Sequence, residues 1–157
     1  MYSVTTGERG ETFTVLGCMS ASGAYIPPFI VFKGTRKRPE WSEGFPPGTR
    51  IEVSDSGYMK DELFALFLDH FRAHAPPGPT LLIVDGHQTH ISLDALDYGI
   101  TNDISLIGLP PHTTHLLQPA DRSFFKPLKS YWKTATNRHV RNTGGKITKF
   151  NVGKLVA

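Results

Sequence analysis

The sequence predicts a layered α/β domain, and three observations carry that reading. Two apolar, β-rich stretches joined by a Gly-containing turn open the chain. Residues 61–74 then place apolar side chains at helical spacing. Finally, the run Leu81-Leu82-Ile83-Val84 is followed by a short helical segment and a second apolar run. A strand-helix-strand unit of that kind favours parallel pairing, because a parallel return requires a crossover.

The elements follow in order. Thr12 to Ser20 is rich in β-branched and apolar residues and reads as a strand. Ala21-Ser22-Gly23-Ala24 supplies a turn, and Tyr25 to Phe32 is the returning strand of a hairpin. Pro27 and Pro28 cannot donate ladder hydrogen bonds, so they belong at the strand start or on an edge. Residues 33–50 read as a loop, and Ile51-Glu52-Val53 as a short strand. In the helix Asp61 to His74, Leu63, Phe64, Phe67, Leu68 and Phe71 form one face, and Pro76-Pro77-Gly78-Pro79 ends it. Leu81 to Val84, a continuous apolar run, has the signature of a strand buried on both faces. Ser92 can cap a helix from Leu93 to Tyr98 that stops at Gly99. Ile104 to Leu109 is another strand. From about Asp121 the spacing of Phe124, Phe125, Leu128, Tyr131, Trp132 and Ala135 predicts a helix, with Pro127 in its first turns, where proline costs least. The expected organisation is one domain over residues 1–143 and a loosely ordered basic tail over 144–157.

Composition narrows the function class. The 157 residues, with 39% hydrophobic and 20% charged content, suit one globular domain. No apolar run is long enough for a membrane span, and Met1 to Thr5 lacks the regions of a signal peptide. A single cysteine, Cys18, excludes an internal disulfide. The net charge of +3 conceals an asymmetry. Residues 1–121 hold 8 Lys/Arg against 14 Asp/Glu, whereas residues 122–157 hold 9 Lys/Arg and no acid. That basic end is either a solvated tail or a surface for a polyanion, which clustered cations bind by releasing condensed counterions.

Asp85 and Asp121 are the candidate catalytic and metal-binding residues. Asp85 ends an apolar strand and Asp121 opens a helix. A carboxylate just past the C-terminal end of a parallel strand lies where open α/β sheets place ligands. Mg²⁺ prefers such oxygen donors, and paired ions can clamp a phosphoryl displacement. Asp is also common as a strand-end turn residue and as a helix cap, and pattern alone leaves both readings open. His87, His90, His112 and His115 offer zinc-ligand spacing, but in loops and without a cysteine partner; contact with substrate phosphate or local backbone suits His87, His112 and His115 better. Lys33-Gly34-Thr35-Arg36-Lys37-Arg38-Pro39 reads as a nucleic-acid contact, a nuclear import signal or an exposed loop. Along the last helix, Lys126, Lys129 and Lys133 share a face. With Arg138 and Arg141 they form the candidate nucleic-acid surface. Trp41, Tyr131 and Trp132 suit base stacking or core packing.

Several segments occur in a telling order: Thr14-Val15-Leu16-Gly17-Cys18-Met19-Ser20-Ala21, Pro27-Pro28-Phe29-Ile30-Val31-Phe32-Lys33-Gly34, Ser56-Gly57-Tyr58-Met59, Leu82-Ile83-Val84-Asp85-Gly86-His87, Leu109-Pro110-Pro111-His112-Thr113-Thr114-His115 and Leu117-Gln118-Pro119-Ala120-Asp121. Together they resemble the DDE superfamily endonuclease domain of pogo/Tigger-type transposases and of their Jerky and centromere-protein-B-like relatives. The resemblance covers roughly Thr12 to Lys133. It implies an RNase H-like fold, a mixed central sheet with flanking helices, here lacking the first strand. It also implies nuclear DNA as partner, Mg²⁺ or Mn²⁺ as cofactor, and cutting and joining of DNA. Asp85 and Asp121 match the family's second and third catalytic acids. Nothing before Thr12 matches the first, and Glu8, Glu11 and Asp55 are misplaced for it. The chain therefore resembles an N-terminally truncated catalytic core that is either part of an endonuclease or a catalytically inactive, domesticated DNA-binding or protein-interaction module. An oligomer is compatible with either, and a membrane partner with neither.

Overall fold

A computed structural model describes residues 2–5, 12–85, 92–110 and 121–156. Among the described residues there are six strands: β1 (Tyr2–Thr5), β2 (Thr12–Leu16), β3 (Phe29–Lys33), β4 (Arg50–Ser54), β5 (Thr80–Val84) and β6 (Ile104–Gly108). The helices are α1 (Asp61–His74), α2 (Leu93–Thr101), α3 (Lys126–Thr143) and α4 (Lys149–Val156), with a short 3₁₀ helix over Pro39–Ser42 and a π-helical turn over Asp121–Phe125.

Strands β1 to β4 form one sheet in chain order, antiparallel across β1-β2 and β2-β3 and parallel across β3-β4. Side chains of β2 and β3 alternate between two cores, as a period of two requires. Leu16, Phe29 and Val31 face α1. Phe13, Val15, Ile30 and Phe32 face Trp41, Trp132, Ile147 and Val152. Helices thus cover both faces of this sheet. Phe29 and Phe32 are fully buried, the former edge-on to Phe67 at 5.8 Å and the latter edge-on to Trp41 at 5.6 Å.

Strands β5 and β6 form a separate parallel pair, Val84 opposite Gly108. Leu82, Val84 and Ile104 join the core under α1 and α2. Leu81 and Ile83, each 56% exposed, turn outward with Ile107. This corrects the expectation that Leu81–Val84 is buried on both faces. The strand that fits that signature is β3, whose residues 29–32 are all buried. The single mixed sheet expected is likewise corrected to two sheets among the described residues. The larger is mixed, as anticipated, and includes β1 ahead of Thr12.

Element boundaries differ for local reasons. The hairpin strands shorten to Thr12–Leu16 and Phe29–Lys33, leaving only an isolated Met19–Tyr25 bridge beyond them; Pro27 and Pro28 interrupt the ladder. Ser92 caps α2 as anticipated, accepting from the Ala95 N–H at 3.3 Å. Gly99 does not end α2. It lies inside, where an added Cβ would fall 2.6 Å from the Ile104 carbonyl oxygen, so glycine there permits close helix-strand packing. The helix α1 has the bounds and buried face expected. Residues 149–156, expected as part of a loose tail, instead form α4. Val152 is buried in the second core, and Gly153 has no room for a side chain against the Glu43 carbonyl.

Candidate acidic site and nucleic-acid interface

Asp85 stands directly after β5, at the C-terminal end of the parallel pair. The Leu109 N–H donates to the Val84 carbonyl at 2.9 Å, carrying the pairing to the edge of the acid. Asp85 is half-buried and its Oδ1 is sheltered from solvent. Asp121 is the first residue of the π-helical turn that leads into α3. Pro127, early in α3, lacks the N–H that a regular ladder would use there. Phe125 is buried, and Phe124 lies across Gly17, whose added Cβ would meet its ring at 2.8 Å. These contacts fix the turn against the end of β2. The Asp121 side chain, and with it the pairing of the two carboxylates, lies outside the described residues, as do His87, His90, His112 and His115.

The donor chemistry of Asp85 and Asp121, two carboxylates, suits a hard divalent ion. Among the described residues, no group of three or more His, Cys, Asp or Glu side chains gathers to hold a metal. Asp55 is occupied otherwise: exposed, it pairs with Lys60 at 2.6 Å, which holds its carboxyl below the usual range. Burial pushes the Cys18 thiol up to about 11, so it is a poor nucleophile.

Lys126, Lys129, Lys133, Arg138 and Arg141 are all exposed, while Phe125 and Trp132 are buried. Trp132 meets Phe13 edge-on at 5.3 Å, anchoring the helix to β2. Thr134, Asn137, Arg138, Arg141 and Asn142 line a shallow depression that includes two guanidinium groups. Trp41 and Trp132 are core residues, so of the three aromatics weighed for stacking only Tyr131, 74% exposed, is available.

Sequence reasoning passed over one charged cluster. Glu52 is buried in β4, where it receives Lys37 Nζ at 2.7 Å and Arg50 Nε at 3.0 Å. The signal was an acid at an interior position of an apolar strand. That position demands a cationic partner, because an unpaired buried charge is costly.

The family model described as DDE superfamily endonuclease matches residues 10–156. A Cochliobolus lunatus protein named MFS-type transporter clz9 is 37% identical over 127 residues, covering 78% of this chain and 14% of that protein. Among the described residues here, no helix is long and apolar enough to cross a membrane. The mouse and human proteins named Pogo transposable element with KRAB domain are 28% and 26% identical, each covering 89% of this chain and 24% of their own length. The chain thus spans a quarter or less of these relatives. No solved structure gives a match.

Proposed function

The chain belongs to the DDE superfamily endonuclease family, and from that premise we propose that it is a nucleic-acid-binding domain of RNase H-like fold, acting on nuclear DNA, whose Asp85 and Asp121 hold Mg²⁺ or Mn²⁺ in the complete protein. The observation that carries the nucleic-acid reading is the basic face of α3. Residues 122–157 contain nine Lys/Arg and no acid, and the helix turns five of those cations to solvent. A divalent ion at the two acids would polarise a phosphodiester and activate water. The residues of α3 bind and orient the backbone beside those acids, offsetting repulsion between phosphate and carboxylate. His87, His112 and His115 are assigned to the substrate side of the same site.

A salt titration of duplex binding tests this. If about 5 phosphates are neutralised, log K falls with log salt at a slope of roughly −4.5. The triple variant Lys126→Ala/Lys129→Ala/Lys133→Ala flattens that slope by about 2.7, with little dependence on base sequence because phosphate contacts position without specifying. An unchanged slope removes α3 from the interface and leaves a solvated basic face.

The second reading, a catalytically inactive binding module, draws on the first acid: Glu8, Glu11 and Asp55 are misplaced for it, and Asp55 is taken up by Lys60 at 2.6 Å. With an incomplete ligand set, loss of preorganised charge commonly costs ~10²–10³-fold in rate. The chain alone is expected to give no detectable strand transfer with Mg²⁺ or Mn²⁺. Robust cleavage that disappears in Asp85→Ala would instead establish a competent nuclease.

A further inference from the structure

The basic run after β3 lies in the acidic part of the chain. Lys33, Arg36, Lys37 and Arg38 are four of the eight Lys/Arg in residues 1–121. The fold uses one of them as an anchor: Lys37 reaches the buried Glu52 at 2.7 Å. The run then enters the 3₁₀ helix at Pro39–Ser42, whose Trp41 is buried against Phe32. The loop is therefore pinned at Lys37 and at Trp41. Lys33, Arg36 and Arg38 are exposed, and among the described residues none of them pairs with a carboxylate.

Contacts connect this loop to the basic C-terminal part of the chain. Lys149 of α4 places Nζ 4.8 Å from the Trp41 ring centroid and 3.6 Å from the Cβ that a side chain at Gly34 would introduce. In the same helix, Asn151 Nδ2 lies 3.4 Å from the Lys146 carbonyl oxygen and 3.3 Å from His139 Nε2 of α3. His139 lies between Arg138 and Arg141, and Lys146 is exposed in the turn between the two helices. Helix α4 thus touches both the basic loop and the C-terminal part of α3.

We propose that Lys33, Arg36 and Arg38, with Lys146, form a second phosphate-contacting surface that extends the α3 face across α4, so that a nucleic-acid backbone is held at two places. The proposal rests on the nucleic-acid reading of α3. A rigid polyanion suits this surface better than an acid-lined protein groove that reads an extended basic peptide. The run is fixed at Lys37 and coils into a helix at Pro39, so it cannot be drawn out as a strand, and Lys149, far away in sequence, lies against it at Trp41 and Gly34. Phosphates spaced along a backbone meet such a dispersed set without rearrangement.

Salt titrations of the whole chain with a short blunt DNA duplex separate the two surfaces. Arg36→Ala/Arg38→Ala is expected to flatten the log K against log salt slope by about 1.8, two phosphate contacts' worth, and Arg36→Lys/Arg38→Lys is expected to restore it. Both variants are expected to unfold at the wild-type temperature, since the guanidinium groups are exposed. A flattened slope in both the loop variant and the α3 triple variant supports this surface, whereas a slope flattened in the loop variant alone overturns the two-place hold together with the α3 reading. An unchanged slope in the loop variant, with the α3 variant flattened, overturns this proposal and leaves the α3 reading standing. Poly-glutamate that competes with the duplex on equal terms per charge also overturns it, in favour of an acidic protein partner.

Discussion

The two sheets of this domain are built from similar strands and end in different states. In the larger, Phe29-Ile30-Val31-Phe32 is enclosed on both sides, by α1 on one and by the 3₁₀ helix, α3 and α4 on the other. In the smaller, Leu81-Leu82-Ile83-Val84 is covered on one side only, by α1 and α2, and Leu81, Ile83 and Ile107 meet solvent. The difference lies in where the helices fall along the chain, since most of what covers the second face of the large sheet, Trp132, Ile147 and Val152 beside Trp41, comes from the C-terminal segments. The candidate acid Asp85 follows the less enclosed strand. Of the cations assigned to nucleic acid, those of α3 lie on a helix that roofs the more enclosed sheet.

Truncating one residue in each sheet gives the sharpest test of that contrast. Phe29→Ala removes a ring with no solvent exposure and is expected to cost about 3–5 kcal/mol by denaturant unfolding, the usual range for a buried phenylalanine. Ile83→Ala, at a side chain already 56% exposed, is expected to stay within about 0.5 kcal/mol. Comparable losses at both positions would mean that the outer face of the small sheet is covered in solution.

A smaller effect is expected at the polar anchor of the large sheet. Glu52 holds Lys37 from the basic loop and Arg50 from its own strand. Glu52→Ala leaves the half-buried Arg50 without that acceptor and releases the loop. The expected loss is about 1–3 kcal/mol, measured by the same unfolding. Lys37→Met is expected to cost less, because Lys37 is 54% exposed and exposed ion pairs contribute little. A larger loss from Lys37→Met than from Glu52→Ala would contradict the anchor as described.

Much of the architecture was legible in local pattern. Helix α1 could be read from Asp61 to His74, because its apolar spacing and the prolines after it are both local signals. Parallel pairing of β5 with β6 followed from the helix between them. The number of covered faces was not legible. Phe29–Phe32 and Leu81–Val84 are equally apolar runs, and only the distant packing of Trp132, Ile147 and Val152 distinguishes them. The same contacts explain why residues 149–156 form a packed helix although their local sequence, with glycines nearby, suggested a loose tail. At the site, the exposed face of α3 followed from helical spacing. Glu52 was missed because its role depends on Lys37, a loop residue far from it in sequence.

The smallest expected effect places a pH response on the large sheet. His70 of α1 is buried against the end of β3, its ring 5.9 Å from that of Phe29 and Nε2 2.8 Å from the Pro27 carbonyl oxygen. Burial lowers its pKa below the ordinary 6.5, the contact with Pro27 works in the opposite direction, and His74 and Arg50 add to the lowering. The folded state therefore favours the neutral ring more than the unfolded chain does. The stability this provides is fully present above the ordinary value and is lost as pH falls through it towards the lower folded value. The thermal midpoint is expected to fall between about pH 7.5 and pH 5.5, and His70→Gln, which keeps a donor near Pro27 but does not titrate, to weaken that fall. The inward side of the small sheet, Leu82, Val84, Ile104 and Leu106, carries no titratable group, so Leu82→Val is expected to lower the midpoint equally at both pH values. A pH dependence unchanged in His70→Gln but altered in Leu82→Val would move the sensitive group away from the large sheet.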